Sequence, residues 1–285
     1  MSVAEYIAPA WRARLAALGL TRPADLLERP PTELGLAGSW VCLTKPGLGR
    51  RQRWRWKLPG DEHAELLYLK RYGPPDWKSL WDRAVRQSAQ HSRGWWECDQ
   101  SRVLLAARVS APLAVAAAER MTGVLEHGSV VLFAAAEGDA FDRLWPSAVT
   151  EGAPITRGAA RHEIATLLAR FVAEFHQTGL CHRDLYLCHI FAQLDFGGSV
   201  PPEFTLIDLA RAFRPRWRRQ RWIIKDLAQL DASARQIGAS RTDRLRFLHT
   251  YLGAAREERL GDYARRIISK SDWILSRIAR KSRQK

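Results

Sequence analysis

The chain has 285 residues, 46% of them hydrophobic and 26% charged, with a formal net charge of +15. That much apolar material serves one large domain or two lobes sharing an interface, which excludes a disordered or fibrous chain, and the charge points to an anionic partner such as nucleic acid, phospholipid or a phosphorylated sugar. The N-terminal MSVAEYIAPAWRAR lacks a signal-peptide core, charges interrupt every apolar run before the roughly 18 residues of a membrane span, and four scattered cysteines (Cys42, Cys98, Cys181, Cys188) make no disulfide scaffold, so a cytoplasmic protein is expected.

Residues 1–38 read as a helical appendage, with Trp11, Leu15 and Leu18 at helical spacing and an Arg-Pro-Pro break at 29–31. From Trp40 the texture becomes strand-like. WVCLTK, the alternating RWRWKL and ELLYLKRY predict a small antiparallel sheet. Residues 77–107 predict one or two helices, and VVLFAAA at 130–136 a buried strand. Ile164, Leu167, Leu168, Phe171, Val172 and Phe175 form one apolar stripe, which predicts a helix stopped at Gly179. LCHRDLYLCHIFAQLDF then reads as a loop leading to a short strand, FTLIDLA as a second strand, and residues 222–285 as helices. Two basic runs stand out, RPRWRRQRWIIK at 214–225 and the stretch from Arg265 to Lys285.

Phosphoryl transfer from ATP needs a lysine on the α- and β-phosphates, an acid to orient it, groups to hold Mg²⁺ and a carboxylate to accept the hydroxyl proton. The chain offers these in kinase order. Lys70 sits near the end of the strand ELLYLKRY, and Glu97 is the only glutamate between it and the end of the next helical region. Then comes His182-Arg183-Asp184-Leu185, where kinases read H-R-D-L-x-x-x-N and this chain ends the motif on His189. Asp184 is the expected base and His182 a brace for the loop. Asp208, in Ile207-Asp208-Leu209, falls where a metal-binding aspartate is expected, and Asp226 reads as a structural brace. The pairs Cys181-His182 and Cys188-His189 also invite a zinc reading, although structural zinc pairs are usually two to four residues apart.

CHRDLYLCHIF, LIDLARA, RWIIKDLAQL and YLKRY together resemble the bacterial lipopolysaccharide core kinase family, whose members phosphorylate heptose or 3-deoxy-manno-octulosonic acid. The likeness runs from about Lys45 to the C-terminus. It implies an α+β, two-lobed protein-kinase-like fold, with the appendage at 1–38, an N-lobe at 39–137 and a C-lobe at 138–285. It also implies ATP and Mg²⁺ as cofactors and a lipid-linked saccharide as acceptor. Asp184, with His182 and Arg183, would form the catalytic loop; Lys70 and Glu97 would serve the nucleotide, and Asp208 and His189 the metal. His189 is a doubtful Mg²⁺ ligand because magnesium prefers oxygen. KPGLGRRQRWRW keeps Gly47 and Gly49 but not a full G-x-G-x-x-G.

The basic run at 214–225 is expected to face the acceptor, its arginines gripping phosphates or carboxylates and Trp217 and Trp222 lying on sugar rings or at a membrane interface. A peripheral place on the cytoplasmic face of the inner membrane, against an anionic surface, follows as an expectation. Two other readings remain: a kinase for a protein or another small molecule, and a catalytically silent kinase-like binding module. A nucleic-acid partner is not expected, since it leaves the motif order unexplained, and the oligomeric state is not encoded legibly.

Overall fold

The computed structural model describes residues 1–43, 50–60, 65–253 and 260–283. The chain forms two compact units, residues 1–106 with 111–135 and residues 107–110 with 136–285.

The first unit contains β1 (Ser2–Ile7), α1 (Arg12–Ala17), α2 (Asp25–Glu28), β2 (Ser39–Cys42), β3 (Arg51–Lys57), β4 (Leu66–Tyr72), α3 (Trp77–Arg86), α4 (Arg93–Ala106), β5 (Ala114–Thr122) and β6 (Leu125–Ala134). Its strands make a six-stranded antiparallel sheet in the order β1-β5-β6-β4-β3-β2. Side chains of a strand alternate between faces, and β4 uses both. Leu67 and Leu69 join Trp56, Val130 and Leu132 in a core closed by Trp11, Leu15, Leu20 and Leu26. On the other face Tyr72, Val131 and Phe133 pack with Cys98 of α4.

Two strands escape the sequence reading. Residues 1–38, expected to be helical, begin with β1 at the sheet edge, and the side chains that suggested an amphipathic helix lie in the core of this unit. β5, AVAAAERMT, has the composition of a helix. Ala114, Ala116, Ala117 and Ala118 are nonetheless buried in a strand between β1 and β6, where small side chains let the layers on either face approach. Gly94 serves the same closeness on α4, since a Cβ there would lie 2.9 Å from Ser129 Oγ. The expected sheet strands before Tyr72 are present as β2, β3 and β4, and the strand expected at 130–136 spans Leu125–Ala134. Gly47 and Gly49 lie outside the described residues.

The second unit contains β7 (Asp139–Ala140), α5 (Phe141–Thr150), α6 (Gly158–Gln177), β8 (Ile190–Gln193), β9 (Glu203–Leu206), α7 (Arg219–Gln236), α8 (Arg241–Leu252) and α9 (Leu260–Ser282). β7, β8 and β9 form a three-stranded antiparallel sheet. α6 buries Ile164, Leu168, Val172 and Phe175, as its stripe predicts, and Gly179 follows it at φ +89°. Ser240 and Asp243 close the start of α8 as a capping box. Among the described residues no helix is long and apolar enough to cross a membrane.

Candidate active site

In the first unit, β4 and α4 bring Lys70 and Glu97 together. The Lys70 ammonium donates to Glu97 Oε1, and the Tyr72 hydroxyl donates to Glu97 Oε2 at 2.9 Å. The Glu97 side chain is 1% exposed and that of Lys70 17%, so the carboxylate is the buried anchor and the lysine the group that reaches outward. Lys70 and Tyr72 share a face of β4 by their spacing of two, which is why one carboxylate can serve both.

In the second unit, the segment between α6 and β8 carries His182, Arg183, Asp184 and His189, and the turn after β9 carries Asp208. Asp226 of α7 fixes the segment from beneath. Its Oδ2 accepts from the His182 backbone N–H at 2.7 Å, and its Oδ1 accepts from that of Arg183 at 2.8 Å. Arg183 sits at φ +72°, a conformation that non-glycine residues occupy only where their surroundings impose it. Those surroundings include the Asp226 carboxylate and the rings of Phe213 and Trp222, whose centroids lie 5.5 and 5.8 Å from the guanidinium.

His182 is completely buried, and burial pushes its imidazole pKa down, against the opposing charge of Asp226. Its Nε2 lies 3.0 Å from the Ile207 carbonyl, so Nε2 carries the proton and donates it. A neutral imidazole thus ties the loop to the residue before Asp208, the bracing expected from the sequence. His189 Nδ1 lies 2.7 Å from the Asp184 carbonyl, to which it donates, and its Nε2 lies 3.8 Å from Asp208 Oδ2. Burial alone would lower the His189 pKa, but the Cys188 side chain, the Asp184 carbonyl and Asp208 push it up to about 9. Asp208 itself has φ +61°.

The structure adds residues that the motif reading missed. Arg211, three positions past Asp208, places Nη1 3.0 Å from Oδ1 and 2.7 Å from Oδ2 of Asp184. Lys225 donates to the Arg183 carbonyl, and burial lowers its pKa. LIDLARA and RWIIKDLAQL contain both residues, but only their position in space ties them to the loop. In the basic run, Arg219 donates to the His176 carbonyl and Trp222 packs edge-on against Phe213 at 5.0 Å. Trp217 is 80% exposed. The His182 and His189 rings lie 5.7 Å apart, but among the described residues the one group of three mutually close potential metal ligands is His176, Cys181 and Asp226, which includes neither of these histidines nor Cys188. Both Asp226 oxygens in that group already accept backbone hydrogen bonds.

For a metal, Asp208 offers a carboxylate, whereas His189, with Nδ1 committed to a carbonyl and its pKa pushed up to about 9, offers Nε2 only once that nitrogen loses its proton. Magnesium binds through one or two carboxylates completed by phosphate oxygens and water. Asp208 fits that chemistry, and His189 fits it less well.

A family model described as "Lipopolysaccharide kinase (Kdo/WaaP) family" matches residues 49–251. Two curated relatives are lipopolysaccharide core heptose(I) kinases named WaaP. That of Pseudomonas aeruginosa is 39% identical over 105 residues, covering 36% of this chain and 39% of the relative. That of Escherichia coli is 39% identical over 89 residues, covering 30% and 33%. The matched stretches thus span well under half the length of these relatives. A solved structure, WaaP in complex with acyl carrier protein, aligns over 95% of this chain and 98% of its own with a TM-score of 0.64 at 24% identity. The fold is therefore the α+β protein-kinase-like fold.

Proposed function

The chain belongs to the Lipopolysaccharide kinase (Kdo/WaaP) family, a membership that implies ATP use, and from it we propose that the protein transfers the γ-phosphate of ATP to a hydroxyl of a lipid-linked saccharide, an inner-core sugar of lipopolysaccharide. The observation that carries this reading is the Asp184 carboxylate, presented on a loop fixed by Asp226 and His182 and gripped at both oxygens by Arg211.

In this reading Asp184 accepts the proton of the attacking hydroxyl, the task of the aspartate in H-R-D loops. Arg211 is a positioning residue that holds the carboxylate in one pose. It leaves N–H groups for the phosphoryl oxygens, which gain charge spread over three positions. Lys70, oriented by Glu97, holds the α- and β-phosphates. Asp208, with His189 as the weaker donor, would hold Mg²⁺, which supplies charge neutralisation at the phosphates when bound. His182 and Arg183 are supports: one ties the loop to Ile207, and the other locks it against Phe213 and Trp222.

The exposed arginines of the 214–221 run provide forks for the anionic groups of a core saccharide. The reading places the protein at the cytoplasmic face of the inner membrane. Single-turnover transfer from labelled ATP with Mg²⁺ to extracted core saccharide, comparing the native chain with Asp184→Asn, tests it. Phosphate should appear on the saccharide with the native chain only, and equal transfer by both proteins would sink the mechanism.

A further inference from the structure

Helix α3 is capped by Asp76, whose side chain accepts from the Ser79 N–H at 2.8 Å, and is anchored through one residue. Arg83 is 1% exposed and donates to the carbonyls of Ser88 at 3.3 Å, Ala89 at 3.2 Å, His91 and Val124. A buried guanidinium with this many acceptors fixes the rotation of a helix about its axis. The opposite face therefore points outward, and it is apolar. Trp77, Trp81 and Val85 recur at spacings of four and are 75%, 60% and 54% exposed.

Single exposed hydrophobic residues need no explanation, but a contiguous stripe containing two tryptophans does. On the flank of the helix Asp82 pairs with Arg86. Positive charge borders it. Lys78 is exposed on the same helix, and the segment leading into α3 is tied to Arg50, whose carbonyl accepts from the Gly73 N–H at 2.8 Å. Arg50 and Arg51 are exposed, and the Arg51 charge acts on Asp76, the cap of α3. Tryptophan is the side chain most suited to the membrane–water boundary, and a helix with an aromatic apolar face and basic borders is the form that lies in that boundary.

We infer that the Trp77–Trp81–Val85 face of α3 docks the protein on an anionic phospholipid surface, with Lys78 and the arginines at the start of β3 meeting the headgroups. This deepens the lipid-linked acceptor reading, because an enzyme held at the bilayer surface meets its acceptor in two dimensions.

The test is flotation of the full chain with vesicles of phosphatidylcholine alone and of phosphatidylcholine mixed with phosphatidylglycerol. The native chain should float with the mixed vesicles, less with the neutral ones, and less again as salt screens the headgroups. Trp77→Ser/Trp81→Ser should weaken binding to the mixed vesicles at least about tenfold. It should retain the native melting temperature and the native rate on a delipidated, water-soluble core saccharide. Lys78→Glu should weaken binding to mixed vesicles selectively. Equal binding by the double variant and the native chain, or no binding by the native chain, would overturn the inference. A dimer that the double variant converts to monomer without a change in vesicle affinity would also overturn it, assigning the stripe to a second copy. Inactivity of both proteins on the soluble saccharide, with the expected vesicle pattern, would remove the phosphotransfer reading and support the docking surface.

Discussion

Arg211 Nη1 lies 3.0 Å from Asp184 Oδ1 and 2.7 Å from Oδ2, so one guanidinium nitrogen spans the carboxylate proposed as the base. Removing it should free that carboxylate to rotate while leaving the Lys70–Glu97 pair intact. Arg211→Ala is expected to lower kcat on a soluble saccharide about 10²-fold, with little change in the KM for ATP. Arg211→Lys should recover part of the loss, since it keeps the charge without the fork. A purely structural role would depress both kinetic constants and the melting temperature together.

Asp184→Asn tests the base itself. A general base contributes about 10² to 10⁴-fold, and the loss should fall on kcat. The Asp184 side chain is partly exposed, so the melting temperature should stay close to that of the native chain.

Asp226→Ala should behave in the opposite way. It strands two backbone N–H groups in a buried site, each costing about 1–3 kcal/mol. The expectation is a loss of roughly 2–6 kcal/mol in urea unfolding, with transfer falling because the loop loses its floor. Stability unchanged from the native chain would refute the bracing role.

Thiol reactivity gives a check that does not involve catalysis. Burial pushes the Cys98 pKa up to about 12 and raises that of Cys181. A thiol whose folded pKa is raised holds its proton, and the thiolate is the reactive form. At mildly alkaline pH an aromatic disulfide reagent should therefore modify exposed Cys42 first. Cys98 and Cys181 should respond only after denaturation.

Leu15→Ala addresses the first 38 residues. Leu15 is fully buried in the core that also holds Leu67 and Leu69. A buried leucine truncated to alanine costs about 2–5 kcal/mol, visible as a lowered melting temperature of the whole first unit. A detachable appendage would show no such coupling.

The chemistry was more legible than the scaffold that supports it. Lys70, Glu97, His182, Asp184 and Asp208 are candidates because phosphoryl transfer demands particular residue types in a fixed order, and the structure pairs Lys70 with Glu97 and ties His182 to the residue before Asp208. Arg211 could not be named, because nothing local distinguishes it from the other arginines in the chain. Its role depends on the turn at Asp208 bringing it back over the loop. β1 and β5 were illegible for a related reason. Strand formation by SVAEYI and by an alanine run rests on partners far along the chain, and intrinsic propensity is overridden by that context. The exposed stripe on α3 was hidden as well. The sequence predicts a helix there but not which face it exposes, and that follows only from Arg83 being buried on the other side.

The pairing of β1 with β5 also bears on how the chain is made. Ser2 lies opposite Met121, 119 positions later. At synthesis rates of about 5–20 residues per second, the first strand waits on the order of ten seconds for its partner. For most of that interval Trp11, Leu15, Leu20 and Leu26 can meet only the β2–β4 part of the sheet, without Val130 and Leu132 of β6. The nascent first unit should therefore be a client of ribosome-associated chaperones until β5 and β6 emerge.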